Sequence, residues 1–471
     1  MKNTLIRNLS ANTIQLAVNQ LLGLVIFYVL STGLDKSSFG QLNLALAILL
    51  IVFNLLSLGI DQVAIRKIAL GNPPGTILSL YLFHVLLTGL LFYFILLTGS
   101  TFIDLQGGLY PILILIGLGK LMIYFSTPFK QAASGLEHFR PLAFMLVISN
   151  LVRGGGLILL VLLHILSLKT IIILFIAGDL LELLFCIYLF KRITRLPVNI
   201  SLNKTGYIGL LREALPQMGV VIITSAMSRF DWIFIGFTVS AIKLAEYSFA
   251  YKVFEMSTLP LLAIAPLLLP WFTKLFKQDD IDTGPLKLLL KTEMIIAALT
   301  IVLINTLWSP AIDAVTAGKY GSVNTKTIFI LSLCIPFLYL NNFLWTIHFA
   351  NGRMKMILKG FIITLLVNVL LDVVLIPIYS NEGAAAAFLA ATIVQSVYYM
   401  IKYPMAGFNR LWFNLLACIL CAVLSCVIAK TYFLNPNIAP VLAVTLYIAL
   451  LFITAQIRPA DYHATRKLFS T

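Results

Sequence analysis

The sequence predicts an all-α, polytopic membrane protein, with about fourteen transmembrane helices in two six-helix lobes plus two C-terminal helices. Three observations predict it. The 471 residues are 60% hydrophobic and only 11% charged, whereas a soluble domain is about half apolar and about a quarter charged. The apolar residues gather in long runs, and a helix of about 20 residues spans a bilayer core. The runs also lack the period-2 alternation of a membrane β-barrel.

Taken in order, six runs fill an N-terminal lobe, 1–190: 9–31, 41–63, 77–98, 109–129, 142–164 and 169–190. The segment 191–213 is polar and basic and reads as a cytoplasmic linker. A second lobe, 214–404, holds 214–238, 246–272, 288–308, 326–349, 356–379 and 383–404. The remainder, 405–471, holds a final pair, 411–430 and 437–456, and a cytoplasmic tail. Proline and glycine occur inside several runs, where neighbouring helices or water can satisfy the freed backbone groups. Residues 1–10 are polar and basic, and the first run has no small-residue cleavage site, so no removable signal peptide is expected. A faint internal symmetry links 37–50 with 244–257, each leading from a polar turn into a small and aromatic helix start. Two parallel six-helix repeats fit it.

Loop charge sets the orientation. The even-numbered connections and both termini carry 23 Lys or Arg residues, and the odd-numbered ones carry 6. That asymmetry places both termini in the cytoplasm and supports an even number of spans. It also explains the net charge of +15 as loops facing anionic lipid rather than nucleic acid. No connection is long enough for a catalytic or nucleotide-binding domain. Neither a phosphate-loop motif nor a dinucleotide fingerprint occurs. The protein is therefore expected to be no enzyme, to use no cofactor or metal, and to draw on an ion gradient, the membrane potential or a downhill substrate. The five cysteines all fall in apolar runs and read as small buried hydrophobes, including Cys418 and Cys421 of a C-x-x-C.

Four basic residues, Lys120, Arg153, Arg229 and Lys252, lie inside spans. A Lys, Arg or Asp at a helix centre costs roughly 2.5–3.5 kcal/mol on insertion scales, so such groups face water or one another. The four cations, with Asn19 and Asn368, are the candidate contacts of an anionic substrate. Arg offers a planar fork and Lys a point charge, and both suit phosphate. Asp179 and Glu182, three residues apart, share a helix face; two carboxylates there need a cation between them or a raised pKa. Asp231 and Glu255 join them as candidate ion-coupling or pairing groups. Lys252 and Glu255 are again three apart and can neutralise each other. Asn12, Gln15 and Asn19 form a polar stripe on the first helix that should face the bundle, as substrate contacts or as interhelical glue. Asp61 and Arg66 read as interfacial anchors.

Four stretches carry a family resemblance: SSFGQLNLALAILLIVFNLLSLGIDQVAIRKIA (37–69), GLEHFRPLAF (135–144), SRFDWIFIGFTVSAIKLAEYSFAYKVFE (228–255) and NVLLDVVLIPIYSNEGAAAAFLAATI (368–393). In these the chain resembles the oligosaccharidyl-lipid branch of the multidrug/oligosaccharidyl-lipid/polysaccharide exporter superfamily. It is similar to O-antigen flippases of the Wzx type and other polysaccharide biosynthesis proteins. One departure is Ala245, where the family usually has glycine two residues before the tyrosine of the eighth helix. The resemblance implies two six-helix lobes working by alternating access in a bacterial inner membrane. It implies movement of an undecaprenyl-pyrophosphate-linked oligosaccharide repeat unit to the periplasmic face. A lipid-linked oligosaccharide and membrane lipids are then the partners of a monomer, with a polysaccharide polymerase and a chain-length regulator as candidates. The alternatives are a drug or small-molecule cation antiporter of the same superfamily and a membrane-embedded glycosyltransferase. The first should show twelve helices and an acid-dominated cavity. The second needs large acidic outer loops, and the longest here hold only Asp104 and Asp313.

Overall fold

The computed structural model describes residues 2–102, 108–196, 200, 203–259, 284–402, 409–432 and 438–458. Side chains are described from Gln15 onward, except at 285, 409 and 410. The Asn12 side chain, most of the second half of the 246–272 run and the tail beyond 458 lie outside these residues. Among the described residues the regular elements are all helical, and eleven helices are long and apolar enough to cross a membrane. Contacts divide the chain into two compact units, Met1–Gly236 and Phe237–Thr471.

Unit 1 contains α1 (Lys2–Gly33), α2 (Lys36–Leu56), α3 (Ile60–Ala69), α4 (Pro74–Gly99), α5 (Leu109–Gly135), α6 (Phe139–Leu162), α7 (Leu168–Thr194) and nearly all of α8 (Lys204–Thr238). Local chemistry sets many of the ends. Asp35 caps α2 by accepting from the Ser38 N–H at 2.9 Å. Ser167 and Thr170 form a reciprocal capping box at the start of α7. The run read as one span, 41–63, is broken between α2 and α3. Leu58 and Gly59 there take left-handed backbone angles, φ 49° and 76°. Glycine tolerates that angle and most residues do not. The break frees the Leu56 carbonyl, which accepts from the Tyr124 hydroxyl at 3.0 Å and lies 2.8 Å from His84 Nε2. Buried carbonyls need such partners where water is excluded.

Helix α5 is the axis of this unit and packs against α2, α3, α4, α6 and α7, while α1 lies along α6. The sequence starts a new lobe at 214, yet α8 is tied to unit 1. Glu213 bridges Arg66 at 3.1 Å and Lys67 at 2.6 Å, and the Asn54 amide donates to Ser225 Oγ at 3.1 Å.

Unit 2 contains α9 (Ala241–Ser257), α10 (Gly284–Thr316), α11 (Thr325–Ala350), α12 (Met354–Lys402), α13 (Asn409–Tyr432) and α14 (Ala439–Ile453). Helix α12 has 49 residues, and as a straight rod it would measure about 74 Å, more than twice a bilayer core of about 30 Å. It is two spans. Ser380, with φ 54° and ψ −126°, breaks the helical path. The arms then fold back on each other, so closely that a Cβ on Gly360 would stand 2.6 Å from the Tyr399 ring. This matches the eleventh and twelfth runs of the sequence. The second arm is joined to α11 by an amide network: Asn341 donates to the Thr392 carbonyl at 3.0 Å and accepts from Ser396 at 2.7 Å. The last pair, α13 and α14, packs on α10, with the Tyr447 hydroxyl donating to the Ile295 carbonyl at 2.8 Å. Cys418, Cys421 and Cys426 are buried in the apolar core between them, next to Ala298 and Tyr447.

Candidate functional site

The densest buried charge lies in unit 1, where α5, α6 and α7 meet. Arg153 of α6 forms an ion pair with Asp179 of α7, and Ser149 donates to the same Asp179 oxygen at 2.9 Å. The Arg153 guanidinium also stacks 4.7 Å from the Phe175 ring centre. One turn along α7, Glu182 pairs with Lys130 of α5 and accepts from Ser126 at 3.4 Å. All four paired side chains are buried, none more than 9% exposed. Lys120, nearly three turns before Lys130 on α5, is placed differently. It lies within the field of Arg153, Asp179, Glu182 and Lys130 but makes no hydrogen bond or ion pair among the described residues. Three cations face two carboxylates, so the cluster carries one positive charge more than its acids neutralise. A buried charge without a partner is unfavourable, and an anion entering the cluster relieves it.

The structure therefore brings Lys120, Arg153, Asp179 and Glu182 together, and gives each carboxylate its own cation rather than one between them. Lys130 is the residue the sequence reading missed. The fourth apolar run ends at 129, which puts Lys130 in a cytoplasmic connection, but α5 continues to Gly135 and buries Lys130.

The other candidates are placed separately. Lys252 and Glu255 pair with each other on α9 at 2.7 Å, the neutralisation their spacing allowed. Arg229 on α8 stacks 4.4 Å from the Trp232 ring and donates to the Ser228 carbonyl at 2.7 Å. Asp231 accepts from the Trp232 N–H at 2.8 Å. Asn19 joins α1 to α6, donating to the Leu146 carbonyl at 3.3 Å and accepting from Asn150 at 3.1 Å. Asn368 donates to the Asp372 carboxylate one turn on, on α12. Asp61 accepts from Tyr81, while Arg66 turns to Glu213. Glu293 on α10, also missed, is 5% exposed and has an oxygen with no hydrogen-bond partner. The criterion that singled out Asp179, an acid within an apolar run, applies to it equally. Among the described residues no group of three or more His, Cys, Asp or Glu side chains is placed to hold a metal ion.

A family model described as "Polysaccharide biosynthesis protein" matches residues 5–276, more than half of the chain. The chain belongs to the polysaccharide biosynthesis protein family. Among solved structures, this family member resembles the lipid II flippase MurJ in an inward closed conformation. The TM-score is 0.74 at 15% identity, covering 95% of this chain and 99% of that one. It also resembles a multidrug resistance MATE family transporter of the MOP superfamily in an inward-facing conformation, with TM-score 0.65, 14% identity and coverage of 85% and 98%. A MOP superfamily transporter from Pyrococcus furiosus aligns with TM-score 0.56, 15% identity and coverage of 88% and 96%. No curated protein matches the chain. At such identities the likeness concerns the fold, and the all-α transporter fold expected from the sequence is the one found. Eleven helices long and apolar enough to cross a membrane, in a fold shared with these structures, mark this family member as a multi-pass membrane protein.

Proposed function

We propose that the protein flips undecaprenyl-pyrophosphate-linked oligosaccharide repeat units, of O-antigen or a similar surface polysaccharide, by alternating access. The movement runs from the cytoplasmic to the periplasmic face of a bacterial inner membrane, with both termini cytoplasmic. The observation that carries this reading is the surplus cation of the α5–α7 cluster, in a member of the polysaccharide biosynthesis protein family. A diphosphate is a compact dianion, and an ammonium group already desolvated and unpaired can bind it without first breaking an internal pair. Lys120 is the first contact in this scheme. Arg153 can add its Nε, which is buried and has no acceptor. Asp179 and Glu182 keep the remaining cations neutralised between cargoes. Lys252, Arg229, Asn19 and Asn368 stay secondary contacts, because each is already engaged by a neighbouring protein group.

A drug-cation antiporter is the second reading, supported by the fold shared with the MATE transporter. It needs carboxylates able to accept a cation; Asp179 and Glu182 each already hold one, which leaves Glu293 of α10 as the buried acid this reading would use. The deciding experiment deletes the gene and identifies what accumulates. A lipid-linked glycan building up on the cytoplasmic side, with surface polysaccharide lost, supports the flippase. Unchanged polysaccharide with raised sensitivity to cationic drugs supports the antiporter instead.

A further inference from the structure

A second cationic site lies in unit 2, on residues to which the cluster chemistry gives no role. The turn from α11 into α12 and the far end of α12 come together because the two arms of α12 run antiparallel. Between them is a cavity of about 690 Å³. Gly352 and Arg353 line it from the turn, Lys355 and Lys359 from the first arm, and Tyr398 and Lys402 from the second. The turn is held by Gly352 at φ 67° and by the Arg353 N–H donating to the His348 carbonyl at 2.9 Å. Four positive side chains thus share one cavity, and among the described residues no carboxylate lines it. Like charges gathered this way repel, and an anion placed among them relieves the repulsion.

The surroundings identify the kind of anion. Met354, Leu358, Ile362, Leu366, Leu370 and Val374 recur every four residues along the first arm, and all are exposed. They make a continuous apolar stripe leading away from the basic cavity. The cavity lies at the end of unit 2 that the loop charges assign to the cytoplasm. The geometry points to a binding site for a lipid whose head group carries two phosphates, with the phosphates among Arg353, Lys355, Lys359 and Lys402 and a hydrocarbon chain along the stripe. Two sources share this chemistry: an anionic phospholipid with two phosphodiesters, and a polyprenyl diphosphate carrier. The site does not depend on the cargo bound in unit 1.

The test uses the full-length protein in detergent. Binding of cardiolipin, undecaprenyl diphosphate and zwitterionic phosphatidylethanolamine is measured by native mass spectrometry. At least one of the two-phosphate lipids should bind, and phosphatidylethanolamine should not compete with it. Each juxtamembrane lysine contributes about a fivefold factor, so Lys355→Ala/Lys359→Ala should weaken binding about 25-fold. Lys355→Arg/Lys359→Arg should retain it. Should the double alanine variant fail to fold, Lys402→Ala alone should give about a fivefold loss. A loss confined to cardiolipin assigns the site to a resident phospholipid; a loss confined to undecaprenyl diphosphate assigns it to the carrier; both outcomes support the site. The proposal is overturned if neither two-phosphate lipid binds, or if the alanine variants bind them as the parent does. It is equally overturned if Lys191→Ala/Arg192→Ala, which removes two charges at the end of α7, weakens binding as much.

Discussion

Replacing Lys120 and Arg153 in parallel separates a substrate group from a structural one. Arg153→Met leaves Asp179 buried with only the Ser149 hydroxyl as donor. Breaking a buried pair from one side costs about 3–5 kcal/mol. Lys120→Met breaks no pair and removes a buried cation set among two other cations and two carboxylates that already hold their own partners. Inserting a lysine near a helix centre costs about 2.5–3.5 kcal/mol, so removing it should leave stability unchanged or raise it by about 1–3 kcal/mol. The double variant Arg153→Met/Asp179→Leu should recover most of the loss caused by Arg153→Met, because a buried pair replaced by apolar groups is often close to neutral. Unfolding is followed by titrating sodium dodecyl sulfate into mixed micelles, and function by surface polysaccharide on gels. The expected outcome is a Lys120→Met protein that is stable and makes no polymer. Loss of stability matching that of Arg153→Met would refute the reasoning, since Lys120 would then hold the bundle together. Normal polymer in the stable Lys120→Met variant would refute it from the other side.

Three further outcomes are expected. Lys130→Met, which orphans Glu182, should destabilise unit 1 by about 3–5 kcal/mol, and Lys130→Met/Glu182→Leu should restore most of it in the same titration. Gly360→Val should place its Cβ against the Tyr399 ring, 2.6 Å away for an undistorted backbone; overpacking of this kind costs about 1–3 kcal/mol and lowers the yield of folded protein in the membrane. Asp35→Ala should cost about 1 kcal/mol through loss of the α2 cap. The backbone hydrogen bond from Ser38 holds the Asp35 carboxyl below its usual pKa of 3.8. Its contribution is therefore present above pH 3.8 and lost as the pH falls through the depressed value, and the Asp35→Ala protein should lack that step in an acid-unfolding profile.

Much of the architecture was legible because hydrophobicity and length are local properties. The runs 77–98, 109–129, 142–164 and 169–190 correspond to α4, α5, α6 and α7. The paired runs 356–379 and 383–404 anticipated the two arms of α12, which secondary structure alone joins into one helix. Apolar side chains entering lipid and backbone groups satisfied within a helix leave few other solutions for such a sequence. The Lys252–Glu255 pair was equally accessible, since residues three apart on a helix are neighbours whatever surrounds them. The Lys130–Glu182 pair was not. Its members lie 52 residues apart on different helices, and the apolar run ends at 129, one residue before Lys130, although α5 continues to Gly135.

By itself the sequence determined the class of molecule, the order of most of its spans, several of the polar groups within them, and the family resemblance. Only the tertiary structure decided which of those charges cancel. Arg153 meets Asp179 and Lys130 meets Glu182 because α5, α6 and α7 pack in one particular rotation and register. A turn's difference in either would exchange the partners. Hydropathy acts on each helix separately and is indifferent to that rotation, whereas ion pairing depends on separations of a few ångströms between side chains distant in sequence. Lys120 is left unpaired by that packing, and its composition-level neighbours gave no sign of it.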